Sequence, residues 1–341
     1  MRCLSLAGAA LVMATLGSIS SPADAQRRAS SAQRATSAAQ RAATAAAQRA
    51  KEDETWCWDA NQEYSPQQRI AGCNGLLKSR TLLAEDRPYV IAMLGYSHHE
   101  LQQYDEALEK FSEKIRLQPE VADGYGWRAD VYLEQGENEQ ALDDYSKALT
   151  LQPNSRDAAG WYQNRGMARA HLGDLKGALQ DYDRSLAIGG PDASLFLYRG
   201  DVYLDQRKYR DAIEDYSEAI ELAPQDGRTW NARCWARGAQ GRNLDKALAD
   251  CEAALNLDGN SSDTHDSRGL VHLKQKEWEA ALEDYETSRT LDPGAASAYF
   301  GHAIALQRLD RDDEAEADFK RALALDPKIA EKYEGWGVKR R

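Results

Sequence analysis

Ala141-Leu142-Asp143-Asp144-Tyr145-Ser146-Lys147-Ala148-Leu149-Thr150-Leu151-Gln152-Pro153 is the stretch whose reading decides the fold. An alanine opens it, an aromatic follows four residues later, and a proline closes it twelve residues on. Residues four apart share one face of a helix, and proline, which lacks the amide donor, ends one. The opening alanine recurs as Ala107, Ala141, Ala178, Ala212, Ala247, Ala281 and Ala315, at intervals of 34, 37, 34, 35, 34 and 34 residues. The aromatic recurs as Phe111, Tyr145, Tyr182, Tyr216, Tyr285 and Phe319, with Cys251 in its place in the fifth copy. The closing residue is Pro119, Pro153, Pro224, Pro293 or Pro327, and the other two copies offer Gly190 before Pro191, and Gly259.

Upstream of each alanine a second amphipathic segment carries a small residue where two helices must approach closely: Gly95, Ala129, Gly166, Gly200, Gly269 and Ala303. A tight turn, often with glycine (Gly136, Gly173, Gly241), joins the two segments. The pattern resembles the tetratricopeptide repeat, whose small residue, alanine, aromatic and proline fall at fixed offsets over 34 residues. The resemblance covers roughly Pro88 to Pro327. It implies an all-α chain: a right-handed α-solenoid of antiparallel helix pairs, with seven clear repeats, a degenerate N-terminal pair and a C-terminal capping helix. One helix pair cannot bury its apolar face alone, so neighbouring pairs stack. The chain departs from the pattern early in the first helix, where only Trp230 matches the usual tryptophan. Three extra residues are expected in the loop Asn154 to Ala159, and one more near Asn243.

The ends differ in composition. Met1 and Arg2, the apolar run Leu4 to Ile19, and Ala23-Asp24-Ala25 read as a secretory signal with cleavage after residue 25. Residues 26–53 form an Ala/Gln/Arg-rich basic linker or helix, in which Arg27, Arg28, Arg34, Arg41, Arg49 and Lys51 meet no acid before Glu52. The whole chain carries a formal charge of minus 12 and Arg2 cancels Asp24, so those six cations leave minus 18 beyond Lys51. Such asymmetry suits a solvated linker, a tail folded back on the acidic body, or peripheral contact of residues 26–51 with an anionic envelope surface. The acidic body makes nucleic acid a poor partner. Residues 54–87 are read as the degenerate pair, 88–327 as the repeats, and 328–341 as a capping helix with a basic tail.

Without Cys3 the cysteines number four: Cys57, Cys73, Cys234 and Cys251. In an antiparallel helix pair, facing residues keep a constant sum of positions, and Cys234 with Cys251 satisfies that register. Cys57 with Cys73 has a spacing only one residue different. Two disulfides inside single helix pairs are expected, as an oxidising compartment permits. A zinc site is disfavoured because Cys-x-x-Cys and paired Cys/His spacings are missing, and a nucleophilic thiol because no neighbouring base is recognisable.

Arg128, Arg165, Arg199 and Arg268 precede their alanines by thirteen residues, and Arg233 by fourteen because of the inserted residue. Asp144, Asp181, Asp215, Asp250 and Asp284 follow by three. The first unit lacks both partners, and the seventh has His302 with Asp318. The same register predicts Arg–Asp pairs between the two helices of each repeat. No phosphate loop, nucleophile elbow, His-Glu-x-x-His motif or calcium loop is present, so no catalytic residue, metal or cofactor is assigned.

In this family the first helix of each repeat lines the ligand-binding surface. Its face includes Asp123, Trp127, Asp130, Gln163, Met167, Ser194, Leu197, Tyr198, Asp201, Asp263, Asp266 and Leu270. Trp127, Asp130, Tyr198 and Asp201 are the chosen peptide-binding candidates, for an extended peptide with basic and apolar side chains. The leading expectation is a secreted, periplasmic protein of a Gram-negative bacterium that binds a protein or peptide and is not an enzyme. An envelope tether using the basic segment, and a hydrolase using groove carboxylates such as Asp130 or Asp201, are the alternatives.

Overall fold

The computed structural model describes residues 22–58 and 63–341, so most of the expected secretory segment lies outside the described residues. Among the described residues all regular structure is helical, and the chain divides into two units, Met1–Gln102 and Gln103–Arg341. The division falls in the turn of the first expected repeat.

The first unit holds α1 (Pro22–Cys57), α2 (Pro66–Lys78) and α3 (Arg87–Glu100). Alanine has the strongest helix propensity, and the Ala-rich segment is accordingly one helix of 36 residues running without a break into Trp56 and Cys57. The expected degenerate pair is therefore the end of α1 laid against α2. Gly72 and Gly75 make that approach possible: a Cβ on Gly72 would lie 2.6 Å from Cβ of Trp56 and 2.7 Å from the carbonyl oxygen of Asp53. Cys57 and Cys73 face one another in this contact with Cα atoms 4.6 Å apart, their sulfurs at disulfide distance. Ser65 caps α2 through a capping box with Gln68. Buried Arg69 of α2 pairs with Glu100 at the end of α3.

The second unit opens with α4 (Tyr104–Leu117) and continues as antiparallel pairs. In chain order these are α5 (Ala122–Glu134) with α6 (Asn138–Leu151), α7 (Ala158–His171) with α8 (Leu175–Gly189), and α9 (Ala193–Asp205) with α10 (Tyr209–Leu222). Then follow α11 (Gly227–Gln240) with α12 (Leu244–Asp258), α13 (Ser262–Gln275) with α14 (Trp278–Leu291), and α15 (Ala296–Arg308) with α16 (Asp312–Leu325). A short α17 (Ile329–Gly335) ends the array. Each pair packs on the next, and the first helices of successive pairs, here the A helices, also touch one another.

The repeated residues explain the packing. All seven anchor alanines are buried, as are the six aromatics that follow them. In α7, α9 and α13 the ring of the second, or B, helix lies on the glycine of its own A helix. A Cβ would come within 2.6 Å of Tyr182 at Gly166, 2.6 Å of Tyr216 at Gly200 and 2.9 Å of Tyr285 at Gly269. The small residue and the aromatic are thus two halves of one contact.

Every turn between an A helix and its B helix contains a residue in the left-handed region. Gly136, Gly173 and Gly241 supply it where glycine was expected, and Arg207, Lys276 and Asp310 adopt the same conformation at φ values of 57, 66 and 58°. The inserted residue of the fifth repeat is absorbed in its turn, where Asn243 at φ 54° joins Gly241. Two of the three extra residues lengthen the connection between α6 and α7, residues 152–157 against 118–121 between α4 and α5, and the third makes α7 one residue longer than α5.

The C-terminal helix covers more than the last repeat. Tyr333 packs on Phe300 with ring centroids 4.9 Å apart and donates to the carbonyl oxygen of Ser297 at 2.8 Å. Trp336, just beyond α17, meets Trp235 of α11 edge to face at 4.8 Å.

Candidate binding groove

Five arginines on the A helices each fork onto an aspartate of the paired B helix. Arg199 is representative: its Nε donates to Asp215 Oδ2 at 2.8 Å and its Nη2 to Oδ1 at 2.7 Å. Arg128–Asp144, Arg165–Asp181, Arg233–Asp250 and Arg268–Asp284 repeat the geometry. The third nitrogen reaches the B helix of the preceding repeat: Arg128 Nη1 finds Ser112 at 3.0 Å, Arg165 finds Ser146 at 3.2 Å, Arg199 finds Asp183 at 2.8 Å and Arg233 finds Ser217 at 3.0 Å. The seventh repeat keeps the scheme with other chemistry, His302 bonding Asp318 at 2.6 Å and approaching Glu286 at 3.4 Å. These side chains hold layers together. The sequence carries this second contact as a polar residue five positions after each alanine (Ser112, Ser146, Asp183, Ser217, Glu286), a regularity that the Arg–Asp pattern overshadowed.

The four peptide-binding candidates stand on α5 and α9, with α7 between them. Trp127 is half-buried: its ring lies 6.0 Å from Phe111 and under the ammonium of Lys114 at 5.3 Å. Asp130 accepts from the Tyr145 hydroxyl at 2.5 Å and from the Asn164 amide of the next repeat at 3.0 Å. Tyr198 packs in part against the buried cluster of Tyr182, Leu195 and Val202. Asp201 is open to water on one side and accepts from the Tyr216 hydroxyl at 2.7 Å. Confinement between helices pushes its carboxyl up to about 6, with the Tyr216 bond pulling down and Asp205 pushing up. Because part of its surface still meets water, the charged form persists at neutral pH. Two other residues placed on this face by helical period lie elsewhere: Leu197 and Leu270 are buried in the core.

His265 and His272, which share a face of α13, converge on an acid that sequence spacing did not connect to them. His265 Nδ1 lies 2.9 Å from Asp284 Oδ1 and His272 Nε2 lies 3.6 Å from Oδ2. Arg268 already forks onto that carboxylate, so a guanidinium and two imidazoles converge on one buried aspartate. Among the described residues no group of three or more His, Cys, Asp or Glu side chains is arranged to hold a metal ion. Cys234 and Cys251 bridge α11 to α12 with Cα atoms 5.4 Å apart and sulfurs at disulfide distance.

Family models described as tetratricopeptide repeat match residues 122–155, 193–226 and 267–328. The chain thus carries tetratricopeptide repeats in these stretches. Such repeats mediate protein–protein interactions. Among curated proteins, the Hsp70-Hsp90 organizing protein of Triticum aestivum is 33% identical over 86 residues, covering 24% of this chain and 14% of that protein. Its counterpart in Arabidopsis thaliana, Hsp70-Hsp90 organizing protein 3, is 30% identical over 86 residues, covering 24% and 15%. The chain thus spans a small fraction of either relative. A tetratricopeptide repeat protein from Parabacteroides merdae superposes with a TM-score of 0.56 at 20% identity, over 76% of this chain and 99% of that one. The structure of the APC/C hetero-tetramer Cut9-Hcn1 superposes with a TM-score of 0.58 at 16% identity, over 80% and 52%. At those identities the likeness is one of fold.

Proposed function

We propose that the protein is a non-enzymatic interaction scaffold of the cell envelope whose A-helix face binds a peptide or protein segment through Trp127, Asp130, Tyr198 and Asp201. The observation that carries this is Asp201, an exposed carboxylate fixed from behind by a buried tyrosine three residues from the aromatic Tyr198. A carboxylate held at a set position, beside an aromatic that offers area at small entropic cost, suits a basic and apolar segment. Location in an oxidising envelope compartment, the periplasm of a Gram-negative bacterium, is supported by the signal-like start of the chain and by two cysteine pairs at bonding distance. Pull-down from the native envelope tests the reading. Tyr198→Ala and Asp201→Asn are expected to deplete the partner set recovered with wild type, and an unchanged set would remove the groove assignment.

A second reading concerns α1, on which Arg34, Arg41, Arg49 and Lys51 are exposed. An exposed cationic helix supports a peripheral tether to anionic envelope polymers or phospholipid. Binding to anionic vesicles should then vanish at high ionic strength and on deleting residues 26–51, whereas partner capture by the groove should survive the deletion.

A further inference from the structure

A cavity of about 600 Å³ opens between α11, α13, α15 and α17, away from the four candidates above. Asn231 and Trp235 of α11, Asp266 of α13, Ser297 of α15, and Lys332 and Trp336 from the C-terminal segment line it. Asn231 and Asp266 hold equivalent places in successive repeats, each two residues before the forking arginine. Asp266 is only 9% exposed. Among the described residues neither Asn231 Oδ1 nor Asp266 Oδ1 has a hydrogen-bond partner. Elsewhere on the wall the acceptors are matched, Asp130 by Tyr145 and Asn164, Asp201 by Tyr216.

Asn231 Oδ1 accepts and cannot donate, and so does Asp266 Oδ1 in its ionised form; a buried acceptor left unsatisfied is costly, so a donor belongs there. The charge of the lining sets which donor. Asp263, Asp266 and Asp326 face a single ammonium, Lys332, which is already held by Asp326 at 2.8 Å. Only Oδ1 of Asp266 is buried without a partner, while Ser297 acts on the same carboxyl, so the group presents one orphaned acceptor instead of the two-oxygen fork that a guanidinium prefers. Trp235 and Trp336 add aromatic walls of the kind that favour cations.

We propose that this cavity binds a primary ammonium carried on an aliphatic chain, either the lysine side chain of a partner or a free diamine, with Asn231 and Asp266 accepting its protons. The proposal rests on the reading of the array as a binding scaffold but uses none of Trp127, Asp130, Tyr198 or Asp201.

Titration calorimetry on the full chain at about pH 8, where Asp266 is ionised, tests it with two probes, Nα-acetyl-lysine methylamide for the side-chain source and 1,5-diaminopentane for the free-amine source. The tighter probe names the source, and at least one is expected to bind with a dissociation constant on the order of 1 mM or tighter. The neutral Nα-acetyl-norleucine methylamide should bind at least about tenfold more weakly, and Asp266→Asn should weaken the charged probe about tenfold or more. The exposed Asp143→Asn should bind as wild type does. No heat from either charged probe at about ten times that concentration, equal binding of the neutral analogue, or an undiminished signal in Asp266→Asn would each overturn the proposal. Should Asp266→Asn lose its helical circular dichroism, Asn231→Ala takes its place, with at least a threefold loss expected by the same reasoning and no loss overturning it. Any of these failures leaves the Tyr198 pull-down result standing, so the two readings fail separately.

Discussion

The Tyr216 hydroxyl donates to Asp201 across 2.7 Å, joining the buried core of the fourth repeat to its A-helix face. Tyr216 also fills the place over Gly200, so one side chain sets helix spacing and carboxylate position together. Tyr216→Phe keeps the ring and removes the bond. It is expected to lower stability by about 1 kcal/mol and to raise the Asp201 pKa above its wild-type value, because the bond favours the charged form. Urea denaturation and a carboxyl-carbon NMR titration read the two effects.

The arginine forks are expected to behave as buried structural pairs. Arg199→Ala would strand Asp215, which is almost wholly buried, and should destabilise by on the order of 3 kcal/mol. Adding Asp215→Asn should recover much of that loss. A double-mutant cycle that shows no coupling would mean the fork contributes nothing beyond its separate halves.

Lys276 ends α13 in the left-handed conformation at φ 66° and ψ 30°, which strains a residue with a Cβ by about 1 kcal/mol. Glycine relieves that strain and loses some of the gain to its freer unfolded chain. Lys276→Gly should therefore raise stability, by about 0.5 kcal/mol, whereas Gly136→Lys at the equivalent turn should lower it.

Asp266 gives stability a definite pH slope. Burial pushes its carboxyl up to about 7, against a downward pull from Ser297 and a further push from Asp263. Tyr285 and Tyr333 also lie within its field, and Asp326 and Lys332 line the same cavity. An unfolded aspartate releases its proton near pH 3.9, so between about 4 and 7 the folded chain holds a proton that the unfolded chain has lost. The contribution of Asp266 therefore favours folding at the acid end and declines as pH rises. Asp266→Asn should flatten this part of the curve and gain relative stability at about pH 8, as denaturant midpoints at several pH values would show.

Reducing the Cys234–Cys251 pair, which closes a separation of 17 residues, should lower stability by about 3 kcal/mol in the chain-entropy account. Comparing wild type with Cys234→Ala/Cys251→Ala under oxidising conditions measures it.

Much of this architecture was legible because repetition multiplies a weak signal. One alanine, aromatic and proline at helical spacing says little, but seven alanines in register, five of them followed by both aromatic and proline, locate helices, turns and the Arg128–Asp144 class of pairs. Features that break the period were less legible. Arg207, Lys276 and Asp310 take a conformation that composition alone assigns to glycine. The engagement of Trp127 by Phe111 and Lys114, and of Asp130 by Asn164, depends on stacking between repeats, whereas helical period reports only which face of one helix a residue occupies. Trp336 meeting Trp235 joins residues about a hundred positions apart, with no periodic relation to reveal it.

The most direct test of the binding face is a photo-crosslinking amino acid placed singly at Tyr198 on α9 and at the exposed Glu218 on α10, in cells that carry the native envelope. A scaffold that holds its guest on the A helices gives a discrete covalent adduct from position 198 and little or none from position 218. Adducts from position 218 alone, or equally from both, would contradict it.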